Sequence, residues 1–208
     1  MKRIVLFLAA LLASAAIMSA QTPEEIIKRM DEVMEKADKS GMAMTMDITM
    51  PIIGKASTRM YMVGEKTRAD MSYKDKTGTV WMDETTSWDY DPAKNEITIE
   101  NRKPSDTKSD ADNAEMLKGI TEGYDVTLTN ETADAWYFDC KKSKSNTNKD
   151  DPKKMKLVVA KGSYLPIELT AKMKGVTVSI KDVTFDVKES DVTYDPNKFP
   201  GAKITDKR

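Results

Sequence analysis

The sequence predicts a mainly β (α+β) fold: a strongly curved antiparallel sheet, or unclosed β-barrel, of about eleven strands, with an N-terminal helix and a short helical lid over its concave face. One segment near the N-terminus repeats its apolar residues with the helical period, and most later segments alternate apolar and polar residues as strands do. Turn residues separate these segments about every eight to twelve positions, as in an antiparallel meander. So long a sheet must curl, and two helices are too few to cover both faces of a flat one. We therefore expect a hollow between the sheet and its helices.

Residues 1–20 are predicted to be a signal peptide, and residues 21–208 a single domain. Lys2 and Arg3 form a basic start, an apolar stretch extends to Met18, and Ala20 is a small residue at the expected cleavage point. The apolar stretch is short for crossing a bilayer. We expect an exported product that begins at Gln21.

The composition excludes several kinds of active site. The chain has 33 basic and 34 acidic residues, no histidine and one cysteine. This charge balance does not favour a nucleic-acid partner. The absence of histidine excludes a Ser-His-Asp triad, a Cys-His pair and a histidine metal site, and one cysteine cannot form an internal disulfide. No cofactor or metal is expected, and Cys140 is predicted to be a buried, inert thiol.

The helix is predicted to begin at a capping box. Thr22 is the candidate N-cap, Pro23 suits the first helical position, and Glu25 completes the box. Apolar residues then follow at the spacing of one buried helical face: Ile26, Ile27, Met30, Val33, Met34 and Ala37. Gly41 is expected to end the helix.

Strands are predicted wherever the alternation has period two. The segments are 42–50, 56–62, 67–73, 80–82, 86–90, 97–99, 124–129, 136–140, 155–159, 167–173 and 176–180, with a further strand possible at 183–187. Pro196 and Pro200 are expected to end regular structure. Between the sixth and seventh strands, a short helix carrying Met116, Leu117 and Ile120 is predicted to form the lid. The free energy gained by burying its apolar side chains is comparable to the entropic cost of ordering its backbone, so we expect the lid to be only weakly docked.

Methionine is the most informative residue type, because 13 of the 15 methionines follow residue 20. Its unbranched, polarizable side chain suits a surface that repacks around varied apolar guests. The predicted cavity lining is Met30, Met34, Met44, Met46, Ile48, Met60, Met62, Met71, Met82, Trp88, Ile97 and Ile99. The alternative interpretation is that these residues form an ordinary core. Trp81, in the opposite phase, is expected to be exposed or to shield a seam.

Two segments resemble motifs of LolA-type lipoprotein carrier proteins. They are Trp88-Asp89-Tyr90-Asp91-Pro92 followed by Ile97-Thr98-Ile99, and the C-terminal Lys198-Phe199-Pro200-Gly201-Ala202-Lys203-Ile204. In order of elements, the resemblance extends over residues 21–208. The arginine–proline pair that family members often carry after the second strand is absent, and Arg68 stands nearest its position. The usual Ser-Asp-Gly before the tryptophan is replaced by Asp83-Glu84-Thr85.

The resemblance implies a periplasmic carrier. Such a protein binds the acyl chains of lipoproteins in a hydrophobic cavity and takes them toward the outer membrane. The implied partners are acylated lipoproteins or lipid, an inner-membrane donor complex and an outer-membrane acceptor, with the protein itself monomeric. A periplasmic lipid-binding or envelope-stress sensor of the same fold, which binds cargo without ferrying it, remains the alternative.

Two other function classes have weaker support in the sequence. A carboxylate-based hydrolase would need a pair of acidic residues facing inward from an apolar strand, and no such pair stands out. A purely structural surface protein is the second of these classes. The lysine-rich segment 141–152 is expected to be a solvated hairpin tip, or else to contact an anionic membrane surface or a partner.

Overall fold

A computed structural model describes residues 21–37, 41–102 and 119–208. The predicted signal peptide and the predicted lid residues Met116 and Leu117 lie outside this part of the chain. Within it, no helix combines the length and the apolar character needed to cross a membrane.

Helix α1 comprises Pro23–Ala37 and begins as predicted. The Thr22 backbone N–H donates to Glu25 Oε2 at 3.1 Å, and the Glu25 N–H donates to Thr22 Oγ1 at 3.2 Å, which completes the capping box. Gly41 stands directly before the first strand with φ of +74°. A Cβ at Gly41 would lie 2.5 Å from the carbonyl oxygen of Val187, so only glycine fits there.

The sheet contains all twelve strands of the described residues, in the order β12-β6-β5-β4-β3-β2-β1-β11-β10-β9-β8-β7. The strands are β1 Met42–Met50, β2 Gly54–Val63, β3 Lys66–Tyr73, β4 Lys76–Met82, β5 Thr86–Asp91, β6 Glu96–Asn101, β7 Tyr124–Glu131, β8 Ala135–Lys142, β9 Lys154–Ala160, β10 Pro166–Met173, β11 Val176–Phe185 and β12 Lys203–Asp206. A four-residue helix α2, Glu189–Val192, and a 3₁₀ turn, Pro196–Lys198, precede β12. Among these strands no pairing joins β12 to β7, so the sheet is unclosed. The predicted mainly β, curved and open architecture is confirmed.

Three local predictions need correction. Regular structure continues past Pro200, because β12 adds to the edge of the sheet in parallel with β6. Segment 183–187 is no separate strand: β11 continues to Phe185 through an irregularity in its pairing with β1, and Asp182 there has φ of +54°. Ile167 is exposed, because the β10–β9 register shifts between Pro166 and Glu168 and reverses the alternation.

The two faces of the sheet differ in composition. We call one the methionine face, defined by the buried residues Met42, Met44, Met60, Met62 and Met155. Helix α1 packs on this face through Ile26, Met30 and Met34, which belong to the same buried cluster. The helix therefore covers the hollow side of the sheet, as predicted.

The opposite side of strands β4 to β6 is the aromatic face, defined by Trp81, Trp88, Tyr90, Tyr194 and Phe199. The Trp81 ring lies 5.7 Å from that of Tyr194 and 5.4 Å from that of Phe199. Trp81 is only 7% exposed, so of the two environments expected for it, exposed or shielding a seam, the exposed one is wrong. The C-terminal segment thus folds back over the outside of the sheet and buries it.

Candidate functional site

A pocket of about 340 Å³ lies on the methionine-face side of strands β9 to β11. That volume is at the lower end of the roughly 300–1,000 Å³ typical of ligand sites. Its apolar wall comprises Met155, Leu169, Ala171, Met173, Val178 and Ile180. The turn at 119–122 and the β8–β9 tip at Asp150, Asp151 and Pro152 complete its lining.

Strand registers bring the apolar wall together. Ala171 pairs with Val178 on one side and with Met155 on the other, and Leu169 pairs with Ile180. Directly paired residues of antiparallel strands project to the same face, so all of these side chains face the hollow. Alternation of period two along three adjacent strands is what produces this wall.

A tyrosine holds the polar edge of the pocket. Tyr124, at the start of β7, donates its hydroxyl to the carbonyl oxygen of Pro152 at 3.0 Å. Burial raises the pKa of Tyr124 to about 12, and the nearby Asp151 and Cys140 add to the effect. The hydroxyl therefore stays protonated and remains a donor at neutral pH. Tyr124 also lines a neighbouring pocket of about 370 Å³ beneath α1.

Asp31 of α1 lines this second pocket. Its Oδ1 atom is buried without a hydrogen-bond partner among the described residues. Burial raises the pKa of Asp31, and the charge of Glu122 raises it further. This carboxyl group makes the second pocket less suited to an apolar guest than the first.

Most of the predicted methionines form the packed core beside the pocket instead of its wall. Met30, Met34, Met44, Met60 and Met62 are buried. Met46, Ile48 and Met82 are half-buried, and Met71 is exposed at 40%, all on the methionine-face side. Ile48 is paired with the pocket residue Val178, and Met46 with Ile180. Among the described residues that were predicted to line the cavity or to form the lid, Ile120 is the one that lines this pocket.

Three predicted lining residues lie on the other side of the sheet. Trp88 is paired with Trp81 and with Ile99, and Ile97 is paired with Tyr90. The Trp88 ring stacks on Tyr194 at 5.5 Å. Trp88, Ile97 and Ile99 therefore belong to the aromatic face, and the structure does not bring them to the hollow.

The predicted cavity lining does not include β9, β10 or β11, the strands that form the wall. The alternation of β9, β10 and β11 is as regular as that of β1 and β2, but it contains fewer methionines. Counting alternating strands, instead of weighting methionine, would have identified Leu169, Val178 and Ile180. Which strands are neighbours, however, is a long-range property that spacing alone does not reveal.

Arg68, nearest to the family's arginine position, also faces away from the pocket. It donates to both carboxylate oxygens of Asp70, at 3.0 and 2.7 Å. Its guanidinium lies 5.1 Å from the centre of the Tyr61 ring and 5.9 Å from that of Trp81. Arg68 therefore stabilises the aromatic face and does not reach across the hollow.

The two motifs that carry the family resemblance meet in the structure. Asn95 donates its side-chain amide to the carbonyl oxygen of Gly201 at 3.2 Å, and the Lys203 N–H donates to the Asn95 carbonyl at 2.9 Å. The Tyr90 and Phe199 rings are 4.6 Å apart. The motifs thus join the C-terminus to the sheet edge, which is an architectural role.

Cys140 belongs to the buried cluster of the methionine face. Cys140 is 1% exposed, and burial together with Asp139 raises the pKa of its thiol to about 11. Such a thiol is a poor nucleophile at neutral pH. Within the described ranges, no group of three or more acidic or cysteine side chains could hold a metal ion. The wall of the candidate pocket is apolar, and its edge is polar.

Comparison with known proteins gives structural similarity only. No protein-family model matches the chain, and its sequence matches no curated protein. An uncharacterized conserved protein from Thermus thermophilus aligns with 87% of this chain and 99% of its own length, at 14% identity and a TM-score of 0.46. A LolA superfamily protein from Nitrosomonas europaea aligns over 84% and 99%, at 12% identity and a TM-score of 0.33.

A DUF1329 family protein from Desulfovibrio piger is also similar, over 84% of this chain and 96% of its own, at 15% identity and a TM-score of 0.35. At such identities the similarity is one of fold alone. Their TM-scores are below 0.5, so the resemblance to LolA-type proteins rests on the two sequence motifs.

Proposed function

We propose that this protein is an exported carrier that binds the acyl chains of lipoproteins in the pocket on the methionine-face side of β9 to β11 and takes them between membranes of the cell envelope. The observation that carries the proposal is the pocket of about 340 Å³ whose wall is formed by apolar side chains of three adjacent strands. A donor complex at the inner membrane and an acceptor at the outer membrane are the partners of such a cycle.

The composition of the hollow favours a flexible guest. Met155 and Met173 line the pocket, and further methionines form the core next to it. A thioether side chain adapts to different guest shapes with little strain, so the site accepts hydrocarbon chains of varied length. Each methylene buried there contributes about 0.8 kcal/mol.

Filling the pocket tests the binding step. Val178→Phe places a larger ring in the wall, and we expect the affinity for a fluorescent fatty acid, measured by titration, to fall at least about tenfold. Thr177→Phe is the matched control, because Thr177 is adjacent on β11 and projects to the opposite face. Circular dichroism of both variants shows whether the fold is retained.

Equal affinities of Val178→Phe and Thr177→Phe, with both variants folded, would contradict the proposed site. Native mass spectrometry of protein isolated from its own cells gives a second measurement. A mass increment equal to an acylated protein supports the carrier.

Transfer distinguishes a carrier from a protein that only binds. Purified protein loaded with a triacylated lipopeptide is mixed with acceptor vesicles, and release of the lipopeptide is followed by fluorescence. We expect transfer to be faster with the wild type than with Val178→Phe. Tight binding without any transfer would favour the lipid-binding or sensor alternative.

A further inference from the structure

The β1–β2 turn carries two apolar side chains into solvent. Ile52 is 98% exposed and Ile53 is 50% exposed. Turns ordinarily use Gly, Pro, Asn, Asp or Ser, so two adjacent β-branched apolar residues at a tip have no local structural reason. The tip is nevertheless held in place, because Tyr73 donates its hydroxyl to the Ile53 carbonyl oxygen at 2.9 Å.

Lysine-rich turns surround this tip at the same end of the sheet. The antiparallel registers place the turns β1–β2, β3–β4, β5–β6, β8–β9 and β10–β11 together at one end. Residues 74–76 contain two lysines and one aspartate, and residues 143–154 contain four lysines and two aspartates, although the whole chain has a net charge of −1. Lys174 lies between β10 and β11. We call this set of turns the basic end.

The acidic groups at the basic end are fewer than the lysines, and several of them already have partners. Asp150 lies 3.5 Å from the Lys174 ammonium, with both side chains exposed, and Asp91 lies 2.9 Å from that of Lys94 in the β5–β6 turn. The amides of Asn146 and Asn148 donate to Asp151 at 2.8 and 2.7 Å. Exposed ion pairs of this kind are weak, so the lysines can exchange them for phosphate contacts.

The candidate pocket lies at this same end. Met173, the last residue of β10, and Asp150 to Pro152 of the β8–β9 tip belong to its lining. Val178 of the pocket wall pairs with Ile48, which stands four positions before Ile52 in the chain. A surface that touches the basic end therefore meets the pocket edge and the apolar tip together.

We propose that the basic end docks on an anionic lipid surface, with Ile52 and Ile53 inserted among the headgroups and the lysines on their phosphates. Apolar side chains surrounded by lysines are typical of surfaces that bind the membrane interface. A protein partner fits less well, because two side chains on a tip bury far less than a stable interface, whose centre is depleted in lysine. The inference goes beyond the proposed function, which concerns the pocket.

Flotation with vesicles tests the docking. Full-length mature protein is mixed with vesicles of phosphatidylethanolamine and phosphatidylglycerol, or of phosphatidylcholine alone. We expect binding to the anionic vesicles, weaker binding at high salt, and little binding to the neutral ones. The double variant Ile52→Asp with Ile53→Asp should reduce the bound fraction at least about tenfold.

Ile167→Asp is the matched control, because Ile167 is 41% exposed but lies beside the β9–β10 turn, at the end of the sheet opposite the basic end. It should bind vesicles like the wild type. Fatty-acid binding without vesicles should be unchanged in every variant, so a failure of docking is separable from a failure of the proposed function. Absent binding to anionic vesicles, or equal loss in Ile167→Asp, overturns the docking proposal and leaves the tip to a protein partner.

Discussion

The methionine face and the aromatic face are two sides of one sheet, but they are held by different interactions. The methionine face packs flexible thioethers and aliphatic side chains under a single helix and leaves a pocket of about 340 Å³. The aromatic face stacks planar rings against the C-terminal segment, with Arg68 bonded to Asp70 beside them. Rings in defined geometry and bidentate ion pairs specify one arrangement, whereas methionines permit several. We infer that stability and adaptability are divided between the faces.

The largest expected effect follows from removing a ring of the aromatic face. Trp81→Ala should lower the free energy of unfolding by about 3–5 kcal/mol, because Trp81 is buried against two other rings. Urea unfolding measures the loss, and Trp81→Phe, which retains part of the ring contact, should lose less. Fatty-acid affinity of the folded fraction should not change. A loss below about 1 kcal/mol in Trp81→Ala would show that this face is not the stabilising one.

A smaller effect is expected at Asp47, on the same side of the sheet as the aromatic face but at its centre. Asp47 is 6% exposed and lies 2.8 Å from the ammonium groups of both Lys55 and Lys181. Burial acts to raise the pKa of its carboxyl, but hydrogen bonds from Lys181, Lys55 and Ser57 outweigh burial and hold the pKa well below its usual range.

Because the pKa of Asp47 is lowered in the folded state, its stabilisation is present above the unfolded pKa of about 3.9 and is lost as the pH falls through the folded value. Asp47→Asn should therefore cost about 2 kcal/mol at pH 7, and the difference from wild type should shrink below about pH 4. Thermal unfolding across a pH range of roughly 2–7 measures both. A difference that stays constant over this range would contradict the ionic origin.

The smallest stability effect is expected on the methionine face. Met155→Leu with Met173→Leu conserves volume and should change the free energy of unfolding by less than about 1.5 kcal/mol. Leucine is branched and adapts less well, so affinity should fall more for kinked unsaturated fatty acids than for straight saturated ones. Competition titration gives the ratio of affinities. Met71→Leu is the control, because Met71 is exposed on the same side of the sheet but lies on β3, which β2 and β1 separate from β11. A ratio unchanged in the double variant would remove the argument for methionine adaptability.

The type and order of the helix and strands could be predicted from the sequence, because helix capping and apolar–polar alternation depend only on residues that are close together in the chain. The Thr22–Glu25 box and the bounds of β1 are as predicted. The sequence was insufficient for the side of the sheet on which Trp88, Ile97 and Ile99 lie, because each turn and bulge can reverse the phase of the next strand. Nor did it indicate β12, whose four residues become a strand only by pairing with β6. The pocket wall is formed by side chains of neighbouring strands, so it could be identified only once the strand registers were known.

Placing β12 beside β6 has a consequence for how the chain matures during synthesis. Lys203 joins Asn95 and Glu96, and Phe199 covers Tyr90, so the contacts that complete one border of the sheet span more than a hundred positions of sequence. Contacts this distant form late. Until β12 has emerged from the ribosome, β6 is an open edge and Trp81 and Trp88 are uncovered, which is a state prone to self-association. We therefore expect this border to close only after β12 has emerged, so that a nascent chain that stops before residue 203 keeps an unfinished edge.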